Sequence, residues 1–392
     1  MYATRSLRWA HIVSLGAAIF FTAVSLVTPM ADPVVVSQPS HPSEKAPAGV
    51  HAEGTLLSLH DQPWHFIGIN VPQAATDYQV NGGCGAYFDL LPFFDSLPPD
   101  SVARVGFGQD ATIDEGPGIS RTMVNRDWRA LDRVVEAADQ STTHVRLIVG
   151  LGGEGGTCDG GVFKTDEWYQ EGYMQPYTGP DGYRRSSYWT YLKEVVSRYA
   201  GNPAILMWEP MGEPEAADCA PGYSGGECYS HKSCPADATA TLVDWFDRVG
   251  AQIHEVDPGA LVETGALSNE QCGWAGGGEL RIDEATGVDV ASFHDYGNPD
   301  QAMPAQLTAA IADARQAGKP LVVGEVGISA GVGCPTSLAQ RAHDMAAKLH
   351  AALSAGAAGW VPWTYGAGTN NGCDDYILAG DPVMSILAKA DA

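Results

Sequence analysis

The sequence predicts a single (β/α)8 barrel, a TIM barrel of the α/β class, behind an export segment. Three observations predict it. Eight short, mostly apolar runs recur after residue 54, as strands covered on both faces require. Helix-like segments separate most of them, the alternation that builds a parallel sheet with crossover helices. All eight cysteines fall in the stretches that follow strand-like runs, which a barrel places on one face. The composition agrees. Of 392 residues 45% are apolar, enough for a sizeable core. With 22 Lys and Arg against 47 Asp and Glu, the formal net charge is −25. Such a surface repels phosphate backbones and argues against a nucleic-acid partner.

Residues 1–31 read as an export signal. Arg5 and Arg8 form a short basic region, and Ile12 to Val27 is an apolar run ending in Thr28-Pro29-Met30-Ala31. Pro29 fits a cleavage site at Ala31 poorly, so an uncleaved N-terminal anchor is the rival. The run would rise roughly 24 Å as a helix, short of the roughly 30 Å of a bilayer core. Either way the body is exported, to the outside or to the cell envelope. Membrane contact is expected only if the segment is retained. Residues 32–53, with Pro33, Pro39, Pro42 and Pro47, read as a linker. Residues 54–392 read as one catalytic domain.

That domain opens with a hairpin, Thr55–Leu59 and Pro63–Phe66. The eight expected strands follow: Phe66–Asn70, Val102–Phe107, His144–Gly150, Ala204–Trp208, Ala260–Thr264, Val288–Phe293, Pro320–Gly324 and Gly359–Trp363. Expected helices cover Asp127–Ala138, Ser187–Tyr199, Thr239–Val256, Met303–Gln316 and Leu338–Ala355. The cysteines have no CxxC spacing, so they read as disulfides of an oxidising compartment rather than a zinc site. Sequence does not fix their pairing; Cys84 with Cys158 and Cys334 with Cys373 are the expected bridges.

A barrel carries its chemistry at the C-terminal ends of its strands. Two carboxylates stand there: Glu213, just past the fourth run in Trp208-Glu-Pro-Met-Gly-Glu-Pro214, and Glu325, past the seventh in Pro320-Leu-Val-Val-Gly-Glu-Val-Gly327. A single Glu at a strand end is as often a structural ion pair. Two converging from different strands suit retaining glycoside hydrolysis, in which one attacks the anomeric carbon and the other protonates the leaving oxygen.

With these motifs in view, the chain from about Gly54 onward resembles glycoside hydrolase family 5, the cellulase and β-mannanase family of retaining barrels. The resemblance rests on the opening Gly54 to Asn70, on Arg198-Tyr-Ala-Gly-Asn-Pro-Ala-Ile-Leu-Met-Trp-Glu209, on Pro-Met-Gly-Glu-Pro214, on Phe293-His-Asp-Tyr296, on Val-Gly-Glu-Val-Gly327 and on Trp360-Val-Pro-Trp363. It implies Glu213 as acid/base and Glu325 as nucleophile. It implies substrate-binding or supporting places for Arg104, His294, Tyr296 and Trp363: Arg104 and Tyr296 against Glu325, His294 in the same cleft, Trp363 as a flat platform beneath the sugar. Asn70 is a further residue that could reach the cleft. One departure matters. The family has Asn before the acid/base Glu, binding the sugar 2-hydroxyl, and here that residue is Gly212.

The long stretch Glu215 to Asp237 holds three cysteines and reads as a functional loop. Tyr223, Tyr229 and Trp274 are its candidate stacking residues, or else packing anchors. The leading reading is an exported endo-acting β-glycosidase on a mannan- or glucan-type polysaccharide, monomeric and needing no cofactor or metal. A catalytically impaired glycan-binding barrel and a transglycosylase are the alternatives. A metal-dependent hydrolase would have to draw on His294, Asp295 and Glu325.

Overall fold

A computed structural model describes residues 49–75, 89–114, 118–153, 163–179, 181–223, 225–267, 270–366 and 372–389. The export segment, Cys84 and Cys158 lie outside them. The barrel runs β1 (Phe66–Val71), α1 (Leu90–Asp95), β2 (Val102–Gly106), α2 (Arg129–Gln140), β3 (Arg146–Gly150), α3 (Asp166–Gln170), α4 (Tyr188–Tyr199), β4 (Ile205–Glu209) and α5 (Ala238–Val256). It continues with β5, only Val262 and Glu263, then α6 (Gly278–Asp283), β6 (Ala291–Asp295), α7 (Ala305–Ala317), β7 (Leu321–Val326), α8 (Leu338–Ser354), β8 (Gly359–Pro362) and α9 (Pro382–Leu387).

Seven strands pair in parallel in the order β6-β7-β8-β1-β2-β3-β4. The ring closes through β5, where Trp208 bridges Val262 and Glu263 bridges Val290. The predicted (β/α)8 barrel is therefore the observed one. Four strands run further than their apolar runs suggested: β1 to Val71, β4 to Glu209, β6 to Asp295 and β7 to Val326. β6 continues through His294 and Asp295 because their backbones stay in register with Glu325 and Val326 of β7. His294, Asp295 and Glu325 are thus ladder residues whose backbones are fixed by the sheet.

The core has two layers. Between sheet and helices, α2 buries Leu131, Val134 and Val135, and α4 buries Leu192, Val195 and Val196, one apolar stripe per helix. Ser187 and Ser337 cap α4 and α8 by accepting from Thr190 N and Gln340 N. Inside the barrel, Phe66, Val102, Ile148, Leu206, Val290, Val322 and Val361 pack together at its N-terminal end. Leu57 completes that cluster. It comes from a small antiparallel sheet, His51–Glu53, Leu56–Leu59 and Gln62–Trp64, which plugs the bottom. The first of these strands falls inside the stretch read as a linker, and the expected two-stranded hairpin has a third strand.

Three disulfides are present among the described residues, all at the opposite, C-terminal face. Cys219–Cys228 closes a small loop after β4, Cys234–Cys272 ties that loop to the one after β5, and Cys334–Cys373 ties the loop after β7 to the one after β8. The last is the expected pairing; Cys84 with Cys158 falls outside the described residues. Bridges closing 38 and 39 residues each stabilise by about 3–4 kcal/mol in the chain-entropy account.

Candidate active site

The site is built on Arg104, the third residue of β2. Its neighbour in register is Asn70 on β1, and its Nη1 donates to Asn70 Oδ1 at 2.8 Å. The same Nη1 donates to Glu325 Oε1 at 2.6 Å. Nε and Nη2 fork onto Glu209, at 2.6 Å to Oε2 and 2.7 Å to Oε1. Asn70 is itself fixed, its Nδ2 donating to the Gly324 carbonyl at 2.9 Å. All four side chains are buried. Burial works against the Arg104 charge, but the charges of Glu209 and Glu325 outweigh it and hold the guanidinium protonated well above its ordinary value.

Glu325 receives a second donor. The Tyr296 hydroxyl donates to Oε2 at 2.5 Å. Burial first, then the Glu325 charge, hold that phenol protonated far above its usual range, so it stays a donor. The approach needs Gly327: a Cβ there would lie 2.1 Å from the Tyr296 ring. With Arg104 on one oxygen and Tyr296 on the other, the Glu325 carboxylate is held in one orientation.

Glu213 sits past the end of β4 with φ 55°, in the left-handed region a non-glycine residue rarely occupies. Its N–H donates to the Gly265 carbonyl at 2.7 Å, which locks the turn. A third of its side chain is exposed, against 7% for Glu325. His294 Nδ1 is 2.9 Å from Glu213 Oε1 and 3.6 Å from Glu325 Oε2. Burial pushes the Glu213 carboxyl up, but the His294 hydrogen bond and charge, with Arg104, outweigh it and hold it below the usual carboxylate range. One oxygen each of Glu213 and Glu325 and a ring nitrogen of His294 all lie within 4.8 Å of one another. Carboxyls about 5–5.5 Å apart leave no room for an intervening water and suit direct attack; inverting pairs stand about 6.5–9.5 Å apart.

The structure thus gathers Arg104, Glu213, His294, Tyr296 and Glu325 into one cluster. Trp363 stands at the end of β8, partly exposed, its backbone N–H donating to Val326 O at 2.9 Å. Asp295 points away: it forms a buried ion pair with Lys348 on α8, at 2.8 Å. The carboxylate beside His294 and Glu325 is Glu213, so the trio of His294, Asp295 and Glu325 is not assembled.

The candidate loop aromatics divide. Trp274 is buried, its indole N–H donating to the Pro214 carbonyl at 2.6 Å, and Tyr229 packs edge-on against Phe163. Both are anchors. Tyr223 is 42% exposed and stacks on His231 with ring centroids 3.7 Å apart. Two residues were missed. Glu209 and Glu263 are both buried at the ends of β4 and β5, a depth rare for a charged type that only the structure reveals. Gly212 leaves little room: a Cβ there would lie 3.0 Å from Glu209 Oε1 and 3.2 Å from Arg104 Nη2.

A parallel barrel with two carboxylates at this spacing in its mouth is the layout of a retaining glycosidase. Comparison with known proteins agrees. The family model described as Cellulase (glycosyl hydrolase family 5) matches residues 107–368, and the chain belongs to that family. Among curated relatives, the probable mannan endo-1,4-beta-mannosidase C of Aspergillus terreus is 28% identical over 280 residues, covering 63% of this chain and 64% of the relative. Mannan endo-1,4-beta-mannosidase 8 of Oryza sativa subsp. japonica is 28% identical over 245 residues, covering 52% and 59%. The chain spans less than two thirds of the length of these relatives. Among solved structures, the endo-1,4-beta-mannanase of Rhizomucor miehei superposes with a TM-score of 0.64 at 18% identity, covering 88% of this chain and 98% of that one, a likeness of fold.

Proposed function

We propose that the protein is an exported retaining β-glycosidase that cleaves internal β-1,4 linkages of a mannan-type polysaccharide. The observation that carries this is the approach of the Glu213 and Glu325 oxygens to within 4.8 Å, each from its own strand. The names of the curated relatives favour mannan over glucan. Glu325, held by Arg104 and Tyr296, attacks the anomeric carbon. Glu213, the more exposed carboxyl, protonates the departing glycosidic oxygen. A glycosyl ester forms on Glu325, and Glu213, now a carboxylate, takes a proton from the water that hydrolyses it. His294 stands between the two carboxyls and steadies Glu213 through both steps. Trp363 offers an indole face to the C–H face of the sugar. The three disulfides fit an oxidising destination outside the cytoplasm, and residues 1–31 supply the export segment.

Reducing-sugar release over β-mannans, β-glucans, xylans and galactans tests the reading, with Glu325→Gln beside the native protein. Release from mannan, β-configured product at first appearance and loss of activity in the variant are expected. Product of inverted configuration would refute the mechanism, and release from another polymer alone would refute the substrate.

A further inference from the structure

Glu263 takes no part in the steps above, yet it lies against the groups that do. It occupies β5, where its N–H donates to the Trp208 carbonyl at 2.9 Å, which puts it beside Glu209 on the neighbouring strand. The side chain is fully buried, and among the described residues no N–H or O–H group donates to either of its oxygens. The nearest carboxylate along the ladder is Glu209, the residue after Trp208, and its charge acts on Glu263. Two carboxylates cannot share a dry contact without a proton between them. Glu209 already accepts two hydrogen bonds from Arg104, which fixes it as the ionised partner.

We propose that Glu263 is a positioning residue of this active site, a proton donor to Glu209 that fixes the carboxylate on which Arg104, and through it Glu325, is mounted. The charged groups acting on the pair are Arg104 from β2, Glu325 from β7, His294 from β6 and, past β4, Glu213. Arg104 is one cation shared between the two carboxylates of Glu209 and Glu325, and a third ionised carboxylate in the same buried place would add to the uncompensated negative charge. Burial, then the charge of Glu209, push the Glu263 carboxyl well above its ordinary range, while burial of Glu209 is outweighed by Arg104, which holds that carboxyl low. Both directions leave the proton on Glu263. The arrangement is a chain, Glu263 to Glu209 to Arg104 to Glu325, in which a neutral acid at the far end sets the geometry of the attacking group.

The test compares the full chain with Glu263→Gln, which keeps a neutral donor of the same shape, and Glu263→Leu, which keeps bulk and loses the donor. Infrared difference spectra of native protein minus Glu263→Gln at pH 7 should contain the carbonyl band of one protonated carboxylic acid. The melting temperature of Glu263→Gln relative to the native protein should climb by about 5 °C or more between pH 5 and 8, because only the native protein holds this proton more tightly folded than unfolded. Neither readout depends on catalysis, so both stand if the substrate reading fails. The kinetic arm rests on that reading: on mannan, Glu263→Leu should lose tenfold or more in kcat with KM changed less than threefold, and Glu263→Gln should recover most of the loss. Absence of the acid band with a pH-independent difference in melting temperature would overturn the proposal. Equal kcat in Gln and Leu variants would overturn the positioning role.

Discussion

Arg104 holds Glu325 and Glu209 at once, with Nη1 2.6 Å from one carboxylate and Nε 2.6 Å from the other. One buried cation thus serves both the carboxylate proposed to react and a second that supports it. Without Glu209 the guanidinium could rotate about its stem; the two-pronged grip leaves Nη1 aimed at Glu325. Arg104→Met should therefore do more than weaken catalysis. It strands two buried carboxylates, and a broken buried pair costs about 3–5 kcal/mol. Chemical denaturation should show a loss of that size. Arg104→Lys keeps the charge but cannot fork, and kcat should still fall by about 10²-fold.

His294 sets the pH range. As the proposed acid, Glu213 must carry a proton to act on the leaving group; burial pushes its carboxyl up, and the His294 hydrogen bond and charge, with Arg104, hold it low. Activity should be lost as pH rises through that lowered value, which places the working range on the acid side. In His294→Gln burial dominates, the carboxyl rises, and the alkaline limb of kcat/KM should move to higher pH. A limb that stays in place would show that another group governs it.

Gly212 is filled from outside itself. Glu209 Oε1 and Arg104 Nη2 already occupy the approach to any side chain there, and both are pinned by each other. Gly212→Asn should therefore destabilise by about 1–3 kcal/mol through overpacking and lower kcat by disturbing Arg104. A gain in kcat with unchanged stability would mean that the Glu209–Arg104 pair yields easily.

Acid stability should match. Glu279 on α6 is buried, and burial followed by the Asp313 charge pushes its carboxyl up to about 7 from 4.5. The folded state then binds this proton more tightly than the unfolded state. Its contribution is fully present below about pH 4.5 and is lost as pH rises to about 7, a change of about 3 kcal/mol. Glu279→Gln should raise the melting temperature at pH 8 and change little at pH 4.

The barrel, its strands and the carboxylates of Glu213 and Glu325 could be read from the chain because apolar runs, turn residues and strand-end carboxylates are local signals; Arg104, His294 and Tyr296 came only with the family resemblance. Glu209 and Glu263 could not be read. Whether a strand-end Glu turns into the barrel or into the helix layer depends on the stagger between neighbouring strands, which no single run contains. Trp274 shows the same limit from the other side: a tryptophan among glycines reads equally as platform or anchor, and the Pro214 carbonyl decides it. Asp295 and His294 are adjacent in sequence, and only the position of Lys348 on α8 sends one to an ion pair while the other faces Glu213.

The small sheet that plugs the bottom of the barrel also fixes where the polypeptide enters it. Gly49 and Val50 line the same hollow as Arg146, Asn202 and Asp257, which precede or begin their strands, whereas Glu213, His294 and Glu325 stand where strands finish. Entry point and catalytic mouth are therefore at opposite poles of the barrel axis. Substitutions at Gly49, Val50 or in the small sheet therefore act on the floor of the barrel, a full strand length from the cleft.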